Sequence, residues 1–142
     1  MKIAIGSDHG GFDLKTHLVA RLQQNGHLIA DLGCNSTNSV DYPNFADAVC
    51  AQVRGGEADC GILICGTGIG MSLAANRYRD IRATLCHDEY TARLSREHNN
   101  ANVLCLGARV LGLGLAEAIV ERWLATGFSG GRHQLRVNMY SD

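Results

Sequence analysis

The chain has 142 residues, enough for one domain with a full hydrophobic core and too few for two ordinary ones. A formal net charge of −1 argues against non-specific nucleic-acid binding. No apolar run approaches the roughly 20 residues a bilayer span needs, and the first residues lack the parts of a signal peptide.

Strand-like and helix-like segments then alternate along the whole chain. Residues 2–6 read as a strand, and 11–25 as a helix with Phe12, Leu14, Leu18, Val19 and Leu22 on its apolar side. Residues 28–32 give a second strand, followed by a polar loop over 33–42. Pro43, the only proline, fits the first turn of a helix running to about Arg54. A third strand covers 59–65 and a short helix 70–77. Residues 81–86 and 102–106 supply strands four and five, with a helix over 89–97 between them. The final clear helix spans 113–126, where Trp123 sits at core spacing with Ile119 and Val120. The polar tail, 128–142, turns helical from Arg132. Five βα units in series predict an α/β protein: three layers, α/β/α, around a five-stranded parallel sheet of Rossmann-like type, in a single domain over 1–142.

Ligands of such folds bind beyond the carboxyl ends of the strands. That rule nominates Asp8 and His9 after strand one, Cys65 to Gly70 after strand three, His87 and Asp88 after strand four, and Arg109 after strand five. The third strand breaks into Cys65-Gly66-Thr67-Gly68-Ile69-Gly70, which offers a thiol, a hydroxyl and backbone amides at one spot. Glycine permits close approach of a ligand to the backbone. The start of a helix favours a thiolate and stabilises an oxyanion. The pattern points to acid–base or nucleophilic chemistry beside a carbonyl.

Plainer roles stand next to these. Thr67 could simply cap the helix, and so could Asp8 its own. His98 ends a helix, where a cation is favoured on structural grounds alone. Tyr42 reads as a turn residue. Arg132 and Arg136 are four apart, so they share a helix face and could grip a phosphate with Arg109. The six cysteines contain no C-x-x-C pair and read as reduced, buried thiols of a cytoplasmic protein. A metal site from Cys65, His9 and His98 lacks the usual ligand spacings. A dinucleotide site is suggested by Gly66, Gly68 and Asp88, but the third glycine falls at Gly70, one residue early.

Several motifs occur in one order: Gly6-Ser7-Asp8-His9-Gly10-Gly11, Asp41-Tyr42-Pro43, the run from Gly61 to Gly70, Ala74-Ala75-Asn76, Ser95-Arg96-Glu97-His98-Asn99, Asn102-Val103-Leu104 and Gly130-Gly131-Arg132-His133. In this the chain resembles the type B ribose-5-phosphate isomerases, whose wider family includes isomerases of six-carbon sugar phosphates. The resemblance implies a cofactor-free, metal-free aldose–ketose isomerase domain working through an enediolate. It implies Cys65 as base, since Met71 stands where some members carry a glutamate. Thr67 and the amides of Gly66, Gly68, Ile69 and Gly70 would hold the enediolate oxygens. His98 would assist ring opening, Asp8 and Asn99 would lie near the sugar hydroxyls, and Tyr42 would line the pocket. His9, Arg109, Arg132 and Arg136 would bind the phosphate, some reaching across from a second subunit of a homodimer or dimer of dimers. The tail, about 128–142, would lie at that interface; it ends several residues earlier than in many members. The alternatives are the same reaction on allose 6-phosphate or galactose 6-phosphate, and a non-catalytic nucleotide- or phosphate-binding module.

Overall fold

The computed structural model describes residues 1–141; Asp142, which closes the predicted interface tail, lies outside them. Strands β1 (Lys2–Ser7), β2 (Leu28–Asp31), β3 (Cys60–Cys65), β4 (Ala83–Leu85) and β5 (Val103–Gly107) form one sheet in the order β2-β1-β3-β5-β4. Every pairing is parallel, as βα units require. The two-residue period of a strand sorts side chains between two cores. Ile3, Ile5, Ile62, Ile64, Leu104 and Leu106 face helices α1 (Phe12–Gln24), α4 (Glu89–Glu97) and α5 (Leu113–Leu124). Ala4, Leu63, Cys65, Val103 and Cys105 face α2 (Tyr42–Arg54) and α3 (Ile69–Ala75). This is the expected three-layer α/β/α arrangement, and a sixth helix, α6 (Arg132–Asn138), follows in the tail.

Two contacts show how sequence sets this packing. α2 rides directly on the sheet at glycines: a Cβ on Gly61 would lie 2.6 Å from Val49 Cγ1, and one on Gly6 would lie 3.0 Å from Val49 Cγ2. Trp123 of α5 is fully buried, donates its ring N–H to Ser95 Oγ at 3.1 Å and stacks under the Arg96 guanidinium, so it joins α5 to α4. Truncating such a buried tryptophan costs about 3–5 kcal/mol.

Element boundaries differ from expectation where side chains take over backbone partners. His9–Gly11 is a separate 3-10 turn ahead of α1, because Asp8 Oδ1 accepts the Gly11 N–H. The fourth strand shrinks from residues 81–86 to three residues. Asn102 Oδ1 accepts the Arg82 N–H and its amide donates to Asp80 O, which holds the chain out of the ladder until Ala83. Among the described residues no helix is long and apolar enough to cross a membrane.

The chain runs from β1 outward to β2, then returns past β1 to β3. Strand order reverses between β1 and β3, so the crevice expected to take a ligand opens at their carboxyl ends. An ion pair between a buried lysine and an exposed aspartate braces it. Lys15, 2 % exposed, holds both carboxylate oxygens of Asp31 at 2.7 and 2.8 Å. Asp31 also accepts the Gly33 N–H, and Gly33 O in turn accepts the Ser7 N–H at 2.8 Å.

Candidate active site

β3 ends at Cys65, whose side chain is 5 % exposed at the margin of the core shared with Met71 and Cys105. The chain must then turn sharply against β5. Gly68 adopts φ +79°, and a Cβ there would lie 2.5 Å from Leu85 Cδ1 and 2.9 Å from the Leu106 carbonyl carbon. From the other side, a Cβ on Gly107 would lie 2.6 Å from Thr67 O. Glycine at both positions lets the turn fold back until the Gly68 N–H donates to Cys65 Sγ at 3.1 Å. Gly68, not Thr67, is the N-cap of α3; Thr67 Oγ1 accepts the Ile69 N–H at 3.2 Å from one residue earlier, and its hydroxyl proton stays available at an exposed position.

All six cysteines are free and buried, yet their surroundings separate them. Burial pushes the Cys50 thiol up to about 12 and the Cys60 thiol up to about 11, and it raises Cys86 and Cys105 as well. Those four are held as thiols. Cys34 donates its S–H to Ser36 O. Among the described residues only Cys65 has a sulfur that accepts a backbone N–H.

The ends of β1 and β5 converge on the same place. Asp8 caps the 3-10 turn, as its plainer reading had it, and its own N–H donates to Ile64 O in β3. His9 Nδ1 accepts the Val40 N–H at 3.2 Å, which leaves Nε2 for another partner. Tyr42 opens α2, and its ring lies across Gly70: a Cβ on Gly70 would stand 2.6 Å from the phenol Cζ. The Arg109 N–H donates to Gly66 O at 2.9 Å, and its exposed guanidinium lies over Gly66 and Gly10. One chain therefore gathers Asp8, His9, Tyr42, Cys65, Gly66, Thr67, Gly68, Ile69, Gly70 and Arg109 at the carboxyl edge of the sheet.

It does not bring His98, Asn99, Arg132 or Arg136 to that edge. α4 starts after β4 and runs back along the sheet, so His98, which follows it, lies near the strands' beginnings. There Asn100 O accepts from Arg82 Nε, and Asn102 O accepts the N–H of Gly61, the second residue of β3. With a rise of about 3.3 Å per residue, the length of β3 separates this end from Cys65 by roughly 15 Å or more. Asn99 therefore stands apart from Asp8 within one chain, contrary to a single-chain reading of the sugar contacts. α6 meets His98 at this far end: Ser129 N–H donates to Glu97 O at 3.0 Å, and the His133 ring stacks on His98 with centroids 4.2 Å apart. A cleft of about 410 Å³ beside them is lined by Arg77, Tyr78, Arg82, Asn99 and Tyr140. His133 has a lowered pKa, first from burial and then from the positive charges of His98, Arg132 and Arg136. Sequence reasoning gave His133 no role, although its position between Arg132 and Arg136 was visible.

The dinucleotide reading loses its acid. Asp88 is the cap of α4, accepting the Thr91 N–H at 2.7 Å, and β4 is separated from the glycine-loop strand by β5. No three His, Cys, Asp or Glu side chains among the described residues are grouped to hold a metal.

Comparison with known proteins adds the following. Residues 3–140 match the model of the ribose/galactose isomerase family. The chain is 53 % identical to ribose-5-phosphate isomerase B of Escherichia coli over 96 % of its own length and 91 % of that protein. It is 43 % identical to a D-erythrulose-4-phosphate isomerase of Pectobacterium atrosepticum, over 92 % of this chain and 87 % of the other. Ribose-5-phosphate isomerase B of Clostridium thermocellum superposes with a TM-score of 0.97 at 52 % identity, covering 98 % of this chain and 94 % of the other.

Proposed function

The chain belongs to the ribose/galactose isomerase family, and from that premise we propose that it interconverts D-ribose 5-phosphate and D-ribulose 5-phosphate through an enediolate, with Cys65 as the base. The observation that carries the role of Cys65 is the Gly68 N–H aimed at its sulfur in a turn only glycines allow. The thiolate removes the proton from C2 of the open aldose and returns it to C1. Negative charge grows on the substrate oxygens as the C–H bond breaks. The Thr67 hydroxyl and the amides of Gly66, Gly68, Ile69 and Gly70 are the donors placed to receive it, without reorganisation during the step. Met71, fully buried under the turn, cannot accept a proton, which suits a cysteine-based site. Tyr42 lines the sugar, and Asp8 holds a sugar hydroxyl. The phosphate takes no part in the chemistry; its binding fixes the orientation of the sugar.

The complete site takes two copies of the chain. One supplies Cys65, its donor loop, His9 and Arg109; the second supplies His98 for ring opening, Asn99 for a sugar hydroxyl, and Arg132 and Arg136 for the phosphate. Support comes from the span of sheet between the two groups within one chain and from the apolar surface at both ends. Ile69 and Leu73 are exposed on α3, which follows Cys65, and Leu135 and Met139 are exposed on α6, Met139 by 83 %. A homodimer, or a dimer of such dimers, with the tail at its interface would cover them. Six free cysteines suit a reducing cytoplasm.

Names within the family make the sugar length the open choice, since one relative is an isomerase of a four-carbon phosphate. The test is a panel of four-, five- and six-carbon aldose and ketose phosphates in deuterium oxide. The expected result is the highest kcat/KM with ribose 5-phosphate and deuterium appearing at C1 of ribulose 5-phosphate. A higher kcat/KM with allose 6-phosphate or galactose 6-phosphate would favour the six-carbon reading. Tight nucleotide binding without proton exchange on any sugar would mean a binding module instead of an enzyme.

A further inference from the structure

We propose that His133 is a positioning residue for the ring-opening step: its imidazole, stacked face to face on His98, fixes the plane in which His98 meets the furanose. The inference rests on the role given to His98 above. The rings are 4.2 Å apart between centroids and only 11° from parallel. Neither has a side-chain hydrogen-bond partner among the described residues, so the stack is what orients them. His98 is the C-cap of α4, its N–H donating to Leu94 O, and its half-buried ring would otherwise turn freely about its own bonds.

The surrounding charges assign the two rings different parts. Two imidazolium rings face to face repel one another, whereas one imidazolium over one neutral ring is attractive. His133 sits between Arg132 and Arg136 on α6, where burial, His98 and those cations lower its pKa against the opposing pull of Glu97, which favours its neutral form. On the α4 side, Glu97 is paired with Arg93 at 2.9 Å, and Arg96 is turned away over Trp123 and toward the Ala101 and Thr126 carbonyls. Proton transfer then falls to His98. In ring opening the O1–H proton leaves, C1=O1 forms, the C1–O4 bond breaks and O4 gains a proton. A group that delivers a proton to O4 must present one ring edge in a narrow direction. The stacked neighbour supplies that constraint, while α6 and its arginines are held independently by the buried Val137.

The test separates ring opening from the chemistry at carbon. Ribose 5-phosphate enters mostly as a furanose, whereas ribulose 5-phosphate is open, because its O5 is esterified. Deuterium wash-in at C1 of ribulose 5-phosphate therefore needs Cys65 but no ring opening. For His133→Ala and His133→Asn the expected result is a kcat/KM for ribose 5-phosphate about tenfold lower, less than the ~10²–10⁴ attached to an acid–base group itself. Wash-in should stay within about twofold of wild type. His133→Phe, which keeps a stacked ring but cannot titrate, should restore forward turnover. Three results would overturn the proposal: unchanged forward turnover in His133→Ala, equal loss of forward turnover and wash-in, or a His133→Phe variant as poor as His133→Ala. If wild-type protein turns over no sugar phosphate, the functional reading fails, and the stack is tested alone by NMR. His98 ring-proton resonances must then lose their ring-current displacement in His133→Ala and keep it in His133→Phe; unchanged resonances would refute the stack.

Discussion

The two ends of the sheet are built by different means. At the carboxyl end the working groups sit on backbone that glycines let approach within contact of its neighbours, and Cys65, Gly68 and Gly107 are buried there. At the opposite end they are exposed or half-exposed side chains at the end of α4 and on α6, held by the Ser129–Glu97 backbone hydrogen bond, the stacked rings and the one buried side chain of α6, Val137. The first arrangement is rigid because the core specifies it. The second depends on a few surface contacts and, in the proposed enzyme, is completed only by another copy of the chain. Perturbing the first end should abolish chemistry or stability, whereas perturbing the second should weaken the use of particular substrates.

The largest effect is expected for Cys65→Ser. Turnover should fall by about 10²–10⁴, the range for losing a proton-transfer group, while affinity for inorganic phosphate and the unfolding midpoint stay near wild type. Near-normal turnover would remove the thiol from the mechanism. Gly68→Ala comes next, because a Cβ in the left-handed region would press on Leu85 and the Leu106 carbonyl. Overpacking of this kind costs about 1–3 kcal/mol, to be read from urea unfolding. Gly114, inside α5 with open space around it, is the control; its change to alanine should stabilise by about 0.4–1 kcal/mol. Equal behaviour of the two variants would erase the distinction drawn for the carboxyl end.

The smallest effect is expected at the exposed start of α4, which also lies at the carboxyl end of the sheet. Asp88 caps α4, and the Thr91 backbone N–H holds its carboxyl below the usual carboxylate range. A depressed folded-state value stabilises the protein above the unfolded-state value, near 3.9, and that contribution disappears as pH falls through the folded-state value. Asp88→Ala should therefore lower Tm at pH 7, and the gap from wild type should close in acid as pH falls through the folded-state value. A gap that persists in acid would mean the carboxylate is not the cause.

The fold was largely legible because its signals are local. Alternating apolar runs gave all five strands, and the spacing of Leu14, Leu18 and Leu22 gave α1 its buried face. What failed was set by partners distant in sequence. Only the contact with Asn102 explains why the fourth strand starts as late as Ala83. The Cys65 turn announced itself through its glycines, since glycine is where backbone must pass close to backbone. The division of residues between the two ends was hidden, because it follows from the direction of α4 along the sheet and not from any residue type. His133 was hidden for a related reason: two exposed-looking histidines 35 positions apart in sequence become a pair only once α6 docks on α4.

Mixing two inactive variants tests the shared site most directly. Cys65→Ser and His98→Asn protein are unfolded together, refolded in equal amounts and assayed with ribose 5-phosphate. If each site draws Cys65 from one copy and His98 from the other, a mixed dimer has one intact site, and random pairing should return about a quarter of wild-type activity. A mixture no more active than its separately refolded parents, under conditions where mixed dimers are shown to form, would contradict a site divided between two chains.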